Sequence, residues 1–371
     1  MEQAKINLAN GILEWASKGH DIYSLNKKFP NFSKWLNKEA TPTFKQLEKL
    51  AKYLDFPFGY FFLSQPLLEV SSENIDFRTI KNRLNSNMSV NLKQVVENMQ
   101  YLQEWTRDYC IKNQIDKVSF NCPSEYKDNT NFLVQEIYSI LNLPQDWFEK
   151  VKTPHETFKY IRSKIEEKRI IIVLTGKIDD NTHKTFDLDE FRAFALYDDY
   201  APLIFINAQD APSGRLFSLI HEFVHLLRGE TDIVTEPHCF IETICNTVAI
   251  NFLAPECYIK EKLGIKKVTR DNLINLSKYF KISFEAMCYR LCSLNYISPE
   301  ECNIYINEHK NSFIEKKKEK QSGSYWNTKL NVLSKHVVQA IISELYHGHI
   351  TYTECFKMLG INWLKTFNKY L

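Results

Sequence analysis

The chain lacks the features that mark secreted, disulfide-bonded or membrane-spanning proteins. Its nine cysteines form no C-x-x-C pair, and their odd number fits reduced thiols in a cytosol better than a set of disulfides. No stretch of about 18 apolar residues occurs, so no membrane span is expected. The N-terminal residues lack the charged-then-apolar layout of a signal peptide. These absences together predict a cytoplasmic protein.

The chain also lacks an excess of charge of either sign. Its 47 basic and 45 acidic residues give a formal net charge of +2, which argues against a strongly basic nucleic-acid-binding surface over the whole chain. Its length of 371 residues suffices for two or three domains with hydrophobic cores. Hydrophobic residues make up 44% of the chain and charged residues 25%, which are ordinary values for a globular protein.

The most informative motif present is H-E-x-x-H, formed by His221, Glu222 and His225. It lies in an apolar stretch, residues 213–228, that a Gly ends and that we predict to be a helix. Two histidines four residues apart project from the same helix face, so both imidazoles can bind one metal ion, typically Zn²⁺. Glu222 can then take a proton from metal-bound water. The alternative interpretation is a pair of hydrogen-bonded core histidines.

A third metal ligand is expected on a second helix, which starts near Pro237 and ends before Pro255. Glu242, Asn246 and Ala249 share one face of this helix. Glu242 can supply a carboxylate, and Asn246 can steady the outer nitrogen of a ligand histidine. Two histidines and one carboxylate leave the fourth position free for water, which is typical of a catalytic site rather than a structural one.

Three further residues compete with Glu242 for the third position, namely Glu230, Glu236 and His238. Before the motif, residues 170–174, 191–197 and 202–207 read as strands of a small sheet that leads into the H-E-x-x-H helix. The rest of the chain has helical patterns. The sequence therefore predicts a mainly α fold with a small sheet (α+β).

The first 66 residues resemble a helix-turn-helix domain of the lambda-repressor type, most clearly after Trp35. The chain is about four residues shorter than DNA-reading members where the recognition helix would enter the major groove. Only Asn31, Ser33, Lys34 and Asn37 remain to contact bases. We therefore favour a module for packing, dimerisation or holding a partner over one that reads DNA.

With these stretches in hand, the chain resembles the ImmA/IrrE family of bacterial and phage metallopeptidases. The likeness departs at Ile244 and Cys245, where members often have a polar or acidic residue followed by Ala. The residues that carry the resemblance are Asn207, Arg215, His221-Glu222-Phe223-Val224-His225-Leu226-Leu227, Glu242, Asn246, Ala249, Leu253-Ala254-Pro255 and Asp76-Phe77-Arg78-Thr79.

The resemblance implies four regions: a repressor-like domain (1–66), a helical connector (67–130), a zincin-like peptidase domain (131–310) and a C-terminal helical tail (311–371). It also implies a gluzincin-type endopeptidase that uses Zn²⁺, with Mn²⁺ as an alternative, and cleaves a partner helix-turn-helix repressor in a stress, phage or mobile-element response. His221, His225 and Glu242 would hold the metal and Glu222 would be the general base.

Two points of mechanism stay open at this stage. The strand at 191–197 or the one at 202–207, if exposed at a sheet edge, would pair with the substrate backbone. Tyr197, Tyr200 and His238 are candidates for stabilising the oxyanion. The competing hypothesis is a transcription regulator that binds DNA or protein and senses a metal through a peptidase-like fold without cleaving anything.

Overall fold

The computed structural model divides the chain into two compact units. Residues 1–72 with 88–94 form the first unit, and residues 73–87 with 95–371 form the second. The described part is mainly α-helical with a small sheet, which confirms the predicted fold class. The residues that the structure describes are 6, 8–17, 21–54, 58–63, 65, 76–78, 89–118, 122–178, 181–229, 239–264, 267–314 and 332–360.

Short helices around an aromatic core build the first unit. They are α1 (Ile12–Ala16), α2 (Ile22–Lys28), α3 (Phe32–Leu36) and α4 (Phe44–Leu54), followed by a 3-10 turn at Phe58–Phe62. α2 begins where the Asp21 carboxylate accepts the backbone N–H groups of Tyr23 and Ser24. The core contains Ile12, Leu25, Phe32, Leu47, Leu50 and Phe61, each almost completely buried.

Longer helices follow, and the second unit has its own hydrophobic core. The helices are α5 (Val90–Lys112), α6 (Thr130–Ile140), α7 (Pro154–Glu166), α8 (Pro212–Arg228), α9 (Cys239–Leu253), α10 (Glu256–Leu263), α11 (Arg270–Phe280), α12 (Phe284–Ser293), α13 (Pro299–Ile314), α14 (Lys335–Tyr346) and α15 (Tyr352–Leu359). Two 3-10 turns lie at Ser124–Tyr126 and Trp147–Lys150. No helix within the described ranges has both the length and the apolar character needed to cross a membrane.

The main sheet has four strands in the order β1-β5-β6-β2. β2 and β6 are parallel, whereas β5 runs antiparallel to both of its neighbours, β6 and β1. A separate two-stranded sheet joins β3 to β4. The strands are β1 (Asp76–Arg78), β2 (Ile171–Thr175), β3 (Lys177–Ile178), β4 (Asn181–Thr185), β5 (Ala193–Leu196) and β6 (Leu203–Asn207).

The predicted strands exist, but neither meets the condition for pairing with a substrate, which is exposure at a sheet edge. β5 and β6 are interior strands that are buried at every position, as strands covered on both faces are. Neither therefore offers a free edge to a substrate. The cause is a non-local pairing: β1, from far earlier in the chain, lies against the outer edge of β5.

The opposite edge of the sheet is covered by residues just before α14. The Leu174 N–H donates to the Val332 carbonyl over 2.7 Å, and Val173 pairs with Leu333 in an antiparallel bridge. The Ser334 hydroxyl accepts the N–H of Ile172 at 2.7 Å, so β2 is bonded on both sides. The beginning of the C-terminal segment is thus a structural part of the second unit.

α8 is buried between the sheet and neighbouring helices. It packs against β5 and β6 on one side and against α7 and α9 on others. Its observed bounds differ from the predicted 213–228 by a single residue at the start. The predicted start of the next helix near Pro237 lies outside the described residues.

Candidate metal centre

The ends of α8 are set by local backbone chemistry. Pro212 occupies the first turn, where its missing N–H costs no helical hydrogen bond. Gly229 follows the helix with φ 57°, a left-handed conformation that favours glycine. Its N–H donates to the carbonyls of His225 and Leu226, which closes the last turn. The two motif histidines therefore stand on a helix with a fixed beginning and end.

A buried aspartate that the sequence did not single out anchors the start of α8. The Asp210 carboxylate pairs with Arg192 at 2.8 Å and accepts the Ala211 N–H at 2.8 Å. Arg215 donates through Nε to the Asp210 carbonyl at 2.7 Å. A Cβ on Gly214 would lie 2.5 Å from both Asp210 carboxylate oxygens, so only glycine fits there without a shift. The only sequence signal for this anchor is the clustering of Gly, Asp and Arg around one helix start.

Two residues of the family resemblance have structural contacts here. Asn207 is fully buried, donates to the Phe191 carbonyl at 3.2 Å and accepts the Gln209 N–H at 3.0 Å. Arg215 also donates through Nη2 to the Ala208 carbonyl at 2.5 Å. Both residues connect the end of β6 to the start of α8. They therefore stabilise the fold through hydrogen bonds that do not involve a metal.

Three predicted ligands meet in one cluster. Nε2 of His225 lies 3.1 Å from Nε2 of His221, and each nitrogen lies 3.3 Å from an oxygen of Glu242. These three side chains form the group able to hold a metal ion within the described ranges. A tetrahedral ion with bonds of about 2.0–2.1 Å places its ligand atoms about 3.3 Å apart, so the donor set fits zinc.

The cluster is shielded from water to different degrees. His221 is fully buried, His225 is 8% exposed, and the Glu242 side chain is 19% exposed. Burial by itself raises the pKa of Glu242, but the hydrogen bonds and charge of the two histidines outweigh it and hold that pKa below its ordinary value of 4.5. Glu242 is thus an ionised carboxylate at neutral pH, the form that binds a metal.

Three further residues neighbour the motif histidines, namely the general-base candidate Glu222 and the side chains of Cys245 and Phe217. Glu222 is fully buried next to His221 in α8. Cys245 is also fully buried; burial raises the pKa of its thiol, and the neighbouring His225 partly opposes that effect. The Phe217 ring stacks on the His221 ring at a centroid distance of 6.4 Å. Sequence reasoning missed the last two contacts, although Phe217 stands one helical turn before His221.

The remaining predicted site residues are not members of the cluster of His221, His225 and Glu242, or they lie outside the described residues. The Tyr197 hydroxyl donates to the Asp199 carboxylate at 3.0 Å, and its ring would lie 3.4 Å from a Cβ on Gly229. Burial, followed by that hydrogen bond, raises the Tyr197 pKa. Lys117 Nζ lies over the Tyr200 ring at 5.5 Å. Asn246 is half-buried on α9, one turn from Glu242. The rival ligands Glu230, Glu236 and His238 lie outside the described residues.

Comparison with known proteins assigns this region to a family. Residues 180–292 match the IrrE N-terminal-like domain family (Peptidase_M78), a range that contains all three residues of the cluster. The radiation response metalloprotease IrrE of Deinococcus radiodurans is 32% identical over 99 residues, which are 24% of this chain and 30% of that protein. The chain thus covers less than a third of that relative's length. The part of the chain that holds the cluster is thus similar to metallopeptidases of the ImmA/IrrE type.

Proposed function

We propose that the protein is a zinc-dependent endopeptidase of the gluzincin type. The observation that carries the proposal is the convergence of His221, His225 and Glu242, whose donor atoms lie 3.1–3.3 Å apart beside the buried Glu222. Two imidazole nitrogens and one carboxylate oxygen are a catalytic zinc set with one position left open. Mn²⁺ is the alternative metal, although imidazole ligands suit zinc better.

Zinc held by these residues would polarise a peptide carbonyl and make a coordinated water acidic enough to attack near neutral pH. The protein's own contribution is proton transfer. The Glu222 carboxylate takes the proton of the attacking water and delivers it to the amine nitrogen of the leaving peptide. Its burial lowers the local dielectric and strengthens its interaction with that proton.

We further propose that the substrate is a partner transcriptional repressor of the helix-turn-helix type. Support comes from the family resemblance and from the repressor-like sequence of the first 66 residues. The Deinococcus relative is named a radiation response metalloprotease, which links a similar domain to a stress response in that organism. Cleavage of the repressor would relieve repression after a stress or a phage-related signal.

The test is a cleavage assay with the zinc-loaded full chain and candidate helix-turn-helix repressors, beginning with any that genes beside its own encode. Glu222→Gln should keep its zinc and lose cleavage by about 10²–10⁴-fold, because it removes the proton acceptor and retains the size of the side chain. Glu256→Gln, which changes an exposed carboxylate paired with Lys260, is the matched control and should cleave normally. Mass spectrometry of the products gives the rate and the cleavage site.

Equal processing by wild type and Glu222→Gln would contradict the hydrolytic mechanism. If both proteins bind zinc and leave every repressor intact, the competing function gains support: a regulator that senses a metal or a partner without cleaving it.

A further inference from the structure

One edge position of the main sheet is occupied by a strand from a distant part of the chain. β1 pairs antiparallel with β5, with Asp76 opposite Ala195, Phe77 opposite Phe194 and Arg78 opposite Ala193. β5 packs directly against α8, which carries both histidines. Tyr197, the residue after β5, lies beside Gly229 at the end of that helix. β1 therefore covers the one side of β5 that β6 leaves open.

An extended peptide is commonly recognised by adding it as a strand to the edge of a sheet. The two edges of this sheet differ in how well they suit the addition of a substrate strand. The outer side of β2 is bonded to Val332 and Ser334, and β2 packs against α7. β5 packs against α8 and forms, together with β1, the antiparallel end of the sheet. A substrate strand aimed at the metal cluster therefore needs the position that β1 holds.

β1 has the character of a strand that is easy to displace. It is three residues long, whereas strands usually have about five or six. Within the part of the chain that the structure describes, its pairing with β5 involves these three residues, so few backbone hydrogen bonds are formed there. The pairing on the opposite edge is reinforced by the fully buried Ser334, whose hydroxyl also donates to Glu166 at 2.7 Å.

We propose that β1 is a resident strand in the substrate position of the peptidase, and that an extended substrate segment binds to β5 only when β1 leaves. This inference rests on the proposed peptidase function and adds its regulation: the chain holds its own recognition edge closed. A signal that detaches Asp76–Arg78 from β5 would then open the enzyme, and a locally unfolded segment of a repressor would take the vacated edge.

The experiment fixes β1 in place reversibly. Asp76→Cys combined with Ala195→Cys puts two thiols on directly opposed residues, which an oxidant can join and dithiothreitol can release. The zinc-loaded full chain is titrated with acetyl-Ala-Leu-Ala-hydroxamate, which needs both a metal and an open strand edge. Acetohydroxamate, which needs only the metal, is the matched probe. Wild type treated with the same oxidant controls for the native cysteines, and peptide mapping verifies the cross-link.

The cross-linked protein should bind the tripeptide hydroxamate about tenfold more weakly than its reduced form, the equivalent of losing two backbone hydrogen bonds. Acetohydroxamate should bind both forms equally. The double variant Phe77→Pro/Arg78→Pro should act in the opposite direction and bind the tripeptide several-fold more tightly than wild type. Adjacent N–H groups of a strand alternate in direction, so two consecutive prolines remove at least one that faces β5.

Equal binding of the tripeptide hydroxamate to the cross-linked and reduced forms would overturn the inference and leave the peptidase function standing. Failure of acetohydroxamate to bind either form would instead remove the metal-centred function, and the inference with it.

Discussion

α8 carries the H-E-x-x-H motif, and α3 lies where a repressor-like domain has its recognition helix. The side chains of these two helices have different surroundings in the fold. α8 is a 17-residue helix whose motif histidines and Glu222 are buried, and the two histidines converge with Glu242. α3 is a five-residue helix whose two aromatic residues, Phe32 and Trp35, are buried in the core of the first unit. The two motif histidines of α8 converge on a shared centre, whereas Ser33 of α3 is engaged in local hydrogen bonds with Asn26.

The local bonds of α3 involve the residues that the sequence left available for bases. Asn26 accepts the Ser33 N–H at 3.0 Å and donates to the Ser33 hydroxyl at 2.6 Å. Asn37 donates to Glu39 at 3.4 Å. Asn31, Lys34 and Asn37 are the exposed members of the set, and Ser33 is half-buried. α3 has only five residues, which is less than one and a half helical turns, so it presents a shorter surface to base edges than a full recognition helix does, and this favours the proposal that the module does not read DNA.

The largest expected effect is the loss of metal from α8. Glu242→Ala should weaken zinc binding by more than about 100-fold, because even outer partners of ligand histidines contribute 10–100-fold and Glu242 is proposed as a direct ligand. Equilibrium dialysis against a zinc-sensitive dye gives the affinity. Glu285→Ala, an exposed carboxylate on α12, should bind zinc as wild type does. Normal zinc affinity in Glu242→Ala would remove this residue from the site.

A smaller effect, on the free energy of unfolding, is expected at the start of α8, where an added side-chain atom has little room. Gly214→Ala should destabilise the protein by about 1–3 kcal/mol, since the added methyl group meets the Asp210 carboxylate at 2.5 Å. Gly59→Ala is the matched control because nothing lies within 4 Å of its added methyl group, and it should be neutral or slightly stabilising. Urea denaturation followed by circular dichroism measures both. Similar stabilities for the two variants would show that the Asp210 anchor does not constrain α8.

The smallest effect is expected at α3. Lys34→Ala should change the affinity for duplex DNA, including the region upstream of the chain's own gene, by less than about 0.5 kcal/mol, as an ordinary surface substitution does. Fluorescence anisotropy at a fixed salt concentration provides the measurement, with Lys45→Ala on α4 as the comparison. A selective loss of about 1–3 kcal/mol for one duplex in Lys34→Ala alone would make α3 a base-reading helix and break the contrast with α8.

The sequence was most informative where structure is local. The H-E-x-x-H helix was predicted to within one residue, and the shared face of its neighbour placed Glu242 on the side that reaches both histidines. Helical spacing is a property of a few consecutive residues, so it can be read without a fold. The burial of β5 and β6 was equally visible in their continuous apolar runs.

What the sequence could not supply was pairing between distant segments. Asp76–Arg78 joins β5 across more than a hundred residues, and Val332 and Ser334 close β2 from the other end of the chain. Neither segment has an alternating pattern of apolar and polar residues that is long enough to predict a strand. The Asp210 anchor and the Phe217 contact likewise depend on side chains that meet only after folding.

The central claim is that one zinc ion joins α8 to α9. A crystal structure of the zinc-loaded protein, with anomalous data collected on both sides of the zinc absorption edge, tests it most directly. We expect one strong peak about 2.0–2.2 Å from Nε2 of His221, Nε2 of His225 and an oxygen of Glu242. A zinc peak elsewhere, or a fully loaded protein in which Glu242 lies outside bonding distance, would contradict it.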